Sequence, residues 1–583
     1  MKPKKAITNF CVFNLLLFFI FVFFGNALFA QDQPSKRPVA IDDLFKIKRV
    51  GNPEISPDGK WVAYTVTSTD LDKDKSETRI WMVPAGGGEP LPMTGKGYSA
   101  SRPSWSPDGK YLSFLAARNG GKTQVWALDR RGGEAQQLTE IPQGVSSFKW
   151  SPDGKKLLLI LRDPKPEDLD KEKDKKETEK KPKPWVIERL QFKRDRTGYL
   201  ETRYTHLYVL TLGEKKPIQI TSGNTDDSQP AWSPDGKLIA FVSNRTDNPD
   251  GNHNTDIWIV ASDNTDKGQT LLQVTHNPGS DRSPAWSPDG KHLTYVTAIE
   301  PEIIWYATNH LAVISAQGGD PQILTRSLDR NVSSPRFAPD GKSIYFLLED
   351  SAERHLARIG IKGTDLTRPV SGPRSVRSFM FGKNGLTAVL LSEPHLPGEI
   401  FILDKAKLRQ LTHTNDKLMD ELALAEVDNA QFKSKDGTAI EGFIYKPPDF
   451  NPSLKYPTLL RIHGGPVSQF DFGFRFEALL FAANGYCVVL VNPRGSSGYG
   501  QEFSLGIWQN WGNKDFEDVM AGVDFAIDKG YADPERLGVG GWSYGGILTN
   551  YIITKTERFK AAITGASEVL YVANYGHDHY QFH

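Results

Sequence analysis

Cysteine is nearly absent from this chain: 583 residues hold only Cys11 and Cys487. Cys11 lies in an N-terminal segment with the pattern of a removable leader, so a mature form has no pair to oxidise and must hold together by packing. Charge excess is lacking too, with 71 Lys plus Arg against 70 Asp plus Glu. That balance removes the electrostatic argument for nucleic acid or an anionic membrane surface as partner. A complete calcium-loop pattern is also missing. Asp70, Asp72 and Asp74 mimic the start of a calcium loop, but Lys75 stands where that loop needs glycine and Trp81 where it needs a bidentate glutamate. Neither a metal nor a cofactor is expected. Apolar material is plentiful, at 38% hydrophobic and 11% aromatic residues. At this length it fills two or more large units.

The leader begins with Lys2, Lys4 and Lys5, runs through "FCVFNLLLFFIFVFF" (Phe10 to Phe24) and leaves through "GNALFAQ". A charged start, a short apolar core and a small-residue exit predict a secretory signal peptide over 1–30, cut after Ala30. The rival reading is an uncleaved anchor; Asn14, Asn26 and the Ala30 exit favour cleavage. No cysteine follows to carry a lipid. The expected location is periplasmic or extracellular, with no stable membrane partner.

Beyond the leader the chain is dominated by repetition. "SPDGK" starts at Ser56, Ser106, Ser151, Ser233 and Ser287, "APDGK" at Ala338, and a worn "FGKNG" at Phe381. Pro-Asp-Gly is turn chemistry, and an alternating strand such as "KWVAYTV" or "KLIAFVS" comes after it. A second marker recurs seven times: "IWMV", "VWAL", "LYVL", "IWIV", "LAVI", "LARI" and "IFIL", starting at positions 80, 125, 207, 257, 311, 356 and 400. A third, like "GGEAQQLT" ending at Thr139, closes most units. Short strands at this period predict a seven-bladed β-propeller over 31–424, closed into a ring because one blade cannot bury both faces. The interval from Val125 to Leu207 is too long. Its excess, near 163–184, contains "PKPEDLDKEKDKKETEKKPKP" and is expected to be a solvated loop inserted in the third blade.

After Leu424 strands alternate with helices. "TLLRIHGG" and "CVVLVNPRG" are apolar strands, "FEDVMAGVDFAIDKG" has helical spacing, and "RLGVGGWS" and "AAITGA" are further strands. This predicts an α/β domain over 425–583 with a parallel sheet covered on both faces. Within it Gly541-Trp542-Ser543-Tyr544-Gly545 spells G-x-S-x-G, a nucleophilic serine on a tight strand-to-helix turn. Acyl transfer also needs two backbone donors for the oxyanion. The Tyr544 amide is one candidate, and the loop His463–Pro466 offers a second, the Gly465 amide. Arg494 in "NPRG" is read as a structural partner of a buried carboxylate, not a catalytic group.

Seven blades followed by "HGGP", "NPRGSSGYG" and "DPERLGVGGWSYGG" resemble the prolyl oligopeptidase family of serine peptidases, over nearly the whole mature chain. The stretch Glu188 to Leu210, and His463 where other branches carry a tyrosine, are most similar to the acylaminoacyl-peptidase branch. The resemblance implies a propeller joined to an α/β-hydrolase domain, with Ser543 as nucleophile. It also implies short peptides as substrates, admitted past the propeller while folded proteins are excluded. In this fold the acid and then the histidine follow the serine after two later strands. Here one strand follows, then Ser567 to His583, so the domain is expected to be C-terminally incomplete and the chain by itself inactive. Asp578 and His583 have suitable chemistry but sit one strand early; His577, His579 and His583 read as a surface cluster, not metal ligands. Two other functions stay open: a noncatalytic propeller binding protein with a decayed hydrolase half, and an esterase. Oligomeric state, residue preference and exo- versus endopeptidase action are not fixed by the sequence.

Overall fold

The computed structural model describes residues 36–165, 184–194, 197–382 and 385–570. The expected signal peptide, most of the charged insert, and His577, Asp578, His579 and His583 lie outside these described residues. Seven four-stranded antiparallel sheets, blades 1 to 7 in chain order, occupy Arg49 to Gln410. Blades 6 and 7 are joined by one parallel pairing, Arg354 with Ser375.

Each sequence marker has a physical role in its blade. In the first Ser-Pro-Asp-Gly turn the Ser56 hydroxyl donates to Asp58 (2.5 Å) and accepts from the Trp61 amide (3.0 Å). The same pair of bonds recurs at Ser106, Ser151, Ser233 and Ser287. These aspartates therefore serve local bonds that fix the bend between the first and second strands. The seven apolar markers lie in the third strands. The threonine that closes a unit accepts the first amide of that marker, as Thr94 does from Ile80 (3.0 Å) and Thr139 from Val125 (2.9 Å). Ring closure is hydrophobic: Val50, Ile55 and Val62 of blade 1 interlock with Ala388, Leu390 and Ile400 of blade 7. The Arg409 guanidinium of blade 7 donates to the Ala85 carbonyl (2.7 Å) across the seam.

The propeller is narrower than the 31–424 expected from the repeats. Arg37–Pro38 pairs in parallel with Leu422–Ala423, and Val39, Met419 and Leu422 bury among Phe443, Leu479 and Leu490 of the second domain. The segments flanking the blades therefore pack as part of the second domain. Turn chemistry marks a blade's interior but says nothing about which layer a flanking strand joins.

The second domain is built on a six-stranded sheet: β1 (Glu426–Lys433), β2 (Ala439–Lys446), β3 (Tyr456–Ile462), β4 (Cys487–Asn492), β5 (Ala532–Trp542) and β6 (Phe559–Gly565). Their order is β1-β2-β4-β3-β5-β6, and the last four are mutually parallel. β4 is buried along its whole length, as a central strand covered on both faces must be. The helices are α1 (Phe476–Ala483), α2 (Gln501–Leu505), α3 (Lys514–Asp528) and α4 (Tyr544–Lys555). Helix α3 turns Val519, Val523 and Ala526 onto the sheet and carries Asp515 and Glu517 in its first turn, where carboxylates suit the helix dipole. β6 is the outermost described strand, and its Ile563 is 70% exposed.

Blades 5 to 7 fix the propeller to this layer. The blade 5 loop Pro301–Tyr306 sends Ile303, Ile304 and Tyr306 into the core of the second domain. In blade 6 the Ser351 amide donates to the Gly498 carbonyl (2.9 Å), and the Ala352 amide donates to Gln469 Oε1 (3.0 Å). Ser375 of blade 7 donates to Asp471 (2.5 Å).

Candidate active site

Parallel pairing of β3 with β5 creates the site. Ile462 stands opposite Gly541, so the residues just beyond each strand, His463-Gly464 and Trp542-Ser543, must meet. A Cβ on Gly464 would lie 3.1 Å from the Trp542 carbonyl oxygen and 3.3 Å from Ser543 Cβ. Ser543 has φ 57° and ψ −128°, a conformation unfavourable for any residue with a side chain. It is held there by its amide, which donates to the Gly565 carbonyl (2.9 Å), and by its own carbonyl, which accepts from Gly546 (2.8 Å) and Ile547 (3.0 Å). The result places an exposed hydroxyl at the N-terminus of α4.

The flanking glycines are required by contact. A Cβ on Gly541 would sit 2.2 Å from the Gly545 carbonyl, and one on Gly545 would sit 2.3 Å from the Ile462 carbonyl oxygen. Strand β5, helix α4 and strand β3 can approach this closely only without side chains at those positions.

Of the two expected oxyanion donors, Tyr544 directly follows the serine and Gly465 directly follows Gly464, whose backbone approaches it. Tyr544 is the first residue of α4, so its amide has no intrahelical acceptor. Gly465 has φ 134°, a region open to glycine, and its amide has no acceptor among the described residues. His463 braces this loop from within. Its ring lies 2.8 Å from the Gly464 carbonyl through Nδ1 and 3.0 Å from the Ser496 hydroxyl through Nε2. Burial pushes it down to about 4, so it is neutral at physiological pH.

Tyr544 anchors helix α4 from the other side. Its buried hydroxyl donates to Asp515 Oδ2 (2.7 Å), which also accepts the Gly512 amide (3.0 Å). Burial raises the Asp515 carboxyl above the ordinary aspartate range. Trp511 packs edge-on against Tyr544 with ring centroids 5.1 Å apart, and its Nε1 donates to Tyr306 of the propeller (2.8 Å). Arg494 is not at the serine: it makes paired bonds to buried Asp518 (2.9 and 2.7 Å) and reaches Asp436. Among the described residues no imidazole or carboxylate hydrogen-bonds the Ser543 hydroxyl. Sequence reasoning did not find the Tyr306–Trp511–Tyr544–Asp515 chain. One signal was available, the apolar "EIIWY" in a loop whose counterparts in blades 1, 2 and 4 are polar.

A serine on a strained turn, a glycine loop beside it and the strand order β1-β2-β4-β3-β5-β6 define an α/β-hydrolase, here joined to a seven-bladed propeller. Residues 472–582 match the model of the prolyl oligopeptidase family, and 190–368 match a TolB beta propeller domain. The chain is 32% identical to an uncharacterized peptidase, YuxL, of Bacillus subtilis, over 93% of this chain and 84% of that one. It is 30% identical to dipeptidyl-peptidase 5 of Porphyromonas gingivalis, over 90% of this chain and 78% of the relative. Among solved structures, Pyrococcus horikoshii acylaminoacyl peptidase superposes with a TM-score of 0.77 at 23% identity, covering 91% of this chain and 79% of that one, a likeness of fold. The chain belongs to the prolyl oligopeptidase family of peptidases.

Proposed function

We propose that this protein is an exported serine peptidase that cleaves short peptides through an acyl-enzyme on Ser543. The observation that carries this reading is the conformation of Ser543, held between two glycines that admit no side chain. Strain of this kind persists only where the surroundings enforce it, and here it presents a hydroxyl beside two unengaged backbone amides. In the proposed reaction the Ser543 oxygen attacks the peptide carbonyl carbon while a base takes the hydroxyl proton. The tetrahedral oxyanion accepts from the Gly465 and Tyr544 amides. The intermediate collapses as the amine leaves with a proton, and water then releases the acyl group by the same steps. The general base and its orienting acid are assigned to residues outside the described ones. The leader motivates export, and the propeller over the site favours short peptides over folded proteins.

The test is a fluorophosphonate probe and a peptide library applied to protein expressed from its natural gene. Ser543 should be the labelled residue, and Ser543→Ala should remove both labelling and hydrolysis. Because one relative is a dipeptidyl-peptidase, released dipeptides are the first products to look for. Undiminished peptide hydrolysis by Ser543→Ala would overturn the proposal.

A further inference from the structure

Blades 4, 5 and 6, with Val467 just past the His463–Pro466 loop, line a cavity of about 850 Å3, a size suited to a peptide-scale ligand. Val467 forms part of its wall, two residues past Gly465. Gly464, which touches Ser543, lies three residues from Val467, at most about 10 Å of chain. A second hollow of about 510 Å3, on the rim between blades 2 and 3, has no residue of the catalytic layer in its wall.

Two guanidinium groups line the first cavity, Arg282 from blade 5 and Arg354 from blade 6. Arg282 precedes a β-bulge in which Ser283 takes φ 58° and the pairing shifts between Arg282 and Ala285. Bulges of this kind re-aim a strand's side chains. An amide relay fixes the group: Arg282 Nη2 donates to Asn309 Oδ1 (2.7 Å), whose Nδ2 donates to Asn331 Oδ1 (3.1 Å). No carboxylate of the described residues lies within ion-pair distance of Arg282, and burial lowers its affinity for its proton. Arg354 has one acidic neighbour, Glu349, at 3.4 Å, and its buried Nε has no hydrogen-bond partner. The wall therefore holds two guanidiniums against one lining carboxylate, Glu349, with buried Asp281 behind Arg282, and through Val467 it adjoins the loop that approaches Ser543.

We propose that Arg282 and Arg354 form a substrate subsite that binds a carboxylate of the peptide, either its C-terminus or an acidic side chain. This rests on the peptidase reading of Ser543. A guanidinium fork matches a carboxylate in shape and charge, and an incoming carboxylate would balance the charge left over.

Binding to the Ser543→Ala protein, which cannot turn substrate over, tests this directly by calorimetry. Matched pentapeptides are compared in two arms: free C-terminus against C-terminal amide, and internal Glu against Gln. At least one carboxylate should bind tenfold or more tightly than its neutral partner, and the arm that shows it identifies the source. Arg282→Gln and Arg354→Gln should each reduce that ratio below threefold, while Arg282→Lys, keeping the charge, should hold it above threefold. Equal binding of acid and neutral peptides in both arms, or a ratio unchanged in both Gln variants, overturns the proposal. Should the Gln variants fail to fold, the ratio in the Ser543→Ala parent and in Arg282→Lys still decides. Fluorophosphonate labelling of the natural gene product reads the peptidase assignment separately, so either can fall while the other stands.

Discussion

Tyr306 belongs by sequence to the fifth blade, yet its contacts lie in the catalytic core, and truncating it tests whether the propeller supports the site. The side chain is 3% exposed, stands edge-on to Trp508 with ring centroids 5.1 Å apart, and accepts the Trp511 indole N–H at 2.8 Å. Removing a buried aromatic ring with partial collapse of the space costs about 3–5 kcal/mol. Tyr306→Ala should therefore destabilise the catalytic layer by that amount. Tyr306→Phe keeps the ring and loses only the acceptor, so about 1–2 kcal/mol is expected. In a double-mutant cycle with Trp511→Phe the coupling should be about 1 kcal/mol, the value of one direct hydrogen bond. Trp511 also packs on Tyr544, so Tyr306→Ala should slow fluorophosphonate labelling of Ser543 even where the protein is folded. Scanning calorimetry with labelling rates provides the assay. The catalytic-layer transition should fall in temperature while the propeller transition stays in place. A Tyr306→Ala protein within about 1 kcal/mol of the parent, or one whose propeller transition alone moves, would refute the reasoning.

Gly545→Ala would place a methyl 2.3 Å from the Ile462 carbonyl oxygen, which backbone cannot yield cheaply. Helix α4 should shift and Ser543 labelling fall about 100-fold, measured by the rate of probe incorporation. Asp281 is buried between blades 4 and 5, and burial raises its carboxyl from 3.8 to about 6. The folded state therefore holds its proton more tightly than the unfolded state, and stability falls as pH rises from about 4 to about 6. Asp281→Asn removes that slope. Its advantage should be absent near pH ~3.5 and reach roughly 3 kcal/mol at most above pH ~7, read from denaturant midpoints across pH. Arg494→Met would leave Asp518 buried without its partner, costing about 3–5 kcal/mol in denaturation, and Asp518→Leu in the same chain should recover part of the loss.

The propeller and the tight glycine turn at Ser543 were legible because both depend on neighbours in sequence. A Ser-Pro-Asp-Gly turn satisfies its own amides, as Ser56 and Asp58 do, so it looks the same wherever it occurs. Gly541 and Gly545 are separated by one turn of chain, and the close approach they permit is readable from their spacing. The residues that sequence reasoning missed depend on distant partners. Tyr306 meets Trp511 across 205 positions of chain. The ends of the propeller were misplaced for the same reason: Val39 and Leu422 join the catalytic layer through contacts with Phe443 and Leu490 that no local pattern announces.

A repeat protein nevertheless offers a second kind of signal, the position that departs from its own repeat. The first strands of blades 4 and 5 read "DSQPAW" and "DRSPAW", so Arg282 stands where the preceding blade has Ser228. Strand pairing and turn chemistry set the demands on a blade, and nothing in them requires an arginine there. The same holds for "EIIWY", apolar where a loop tip between the second and third strands is ordinarily polar. Both departures face the catalytic layer, one lining the cavity and one entering the core. Since the ring's stability is carried by the repeating positions, residues that break the pattern are free to answer to something else. In this chain that something is the domain holding Ser543, which makes the irregularities of a propeller sequence the place to seek its specificity.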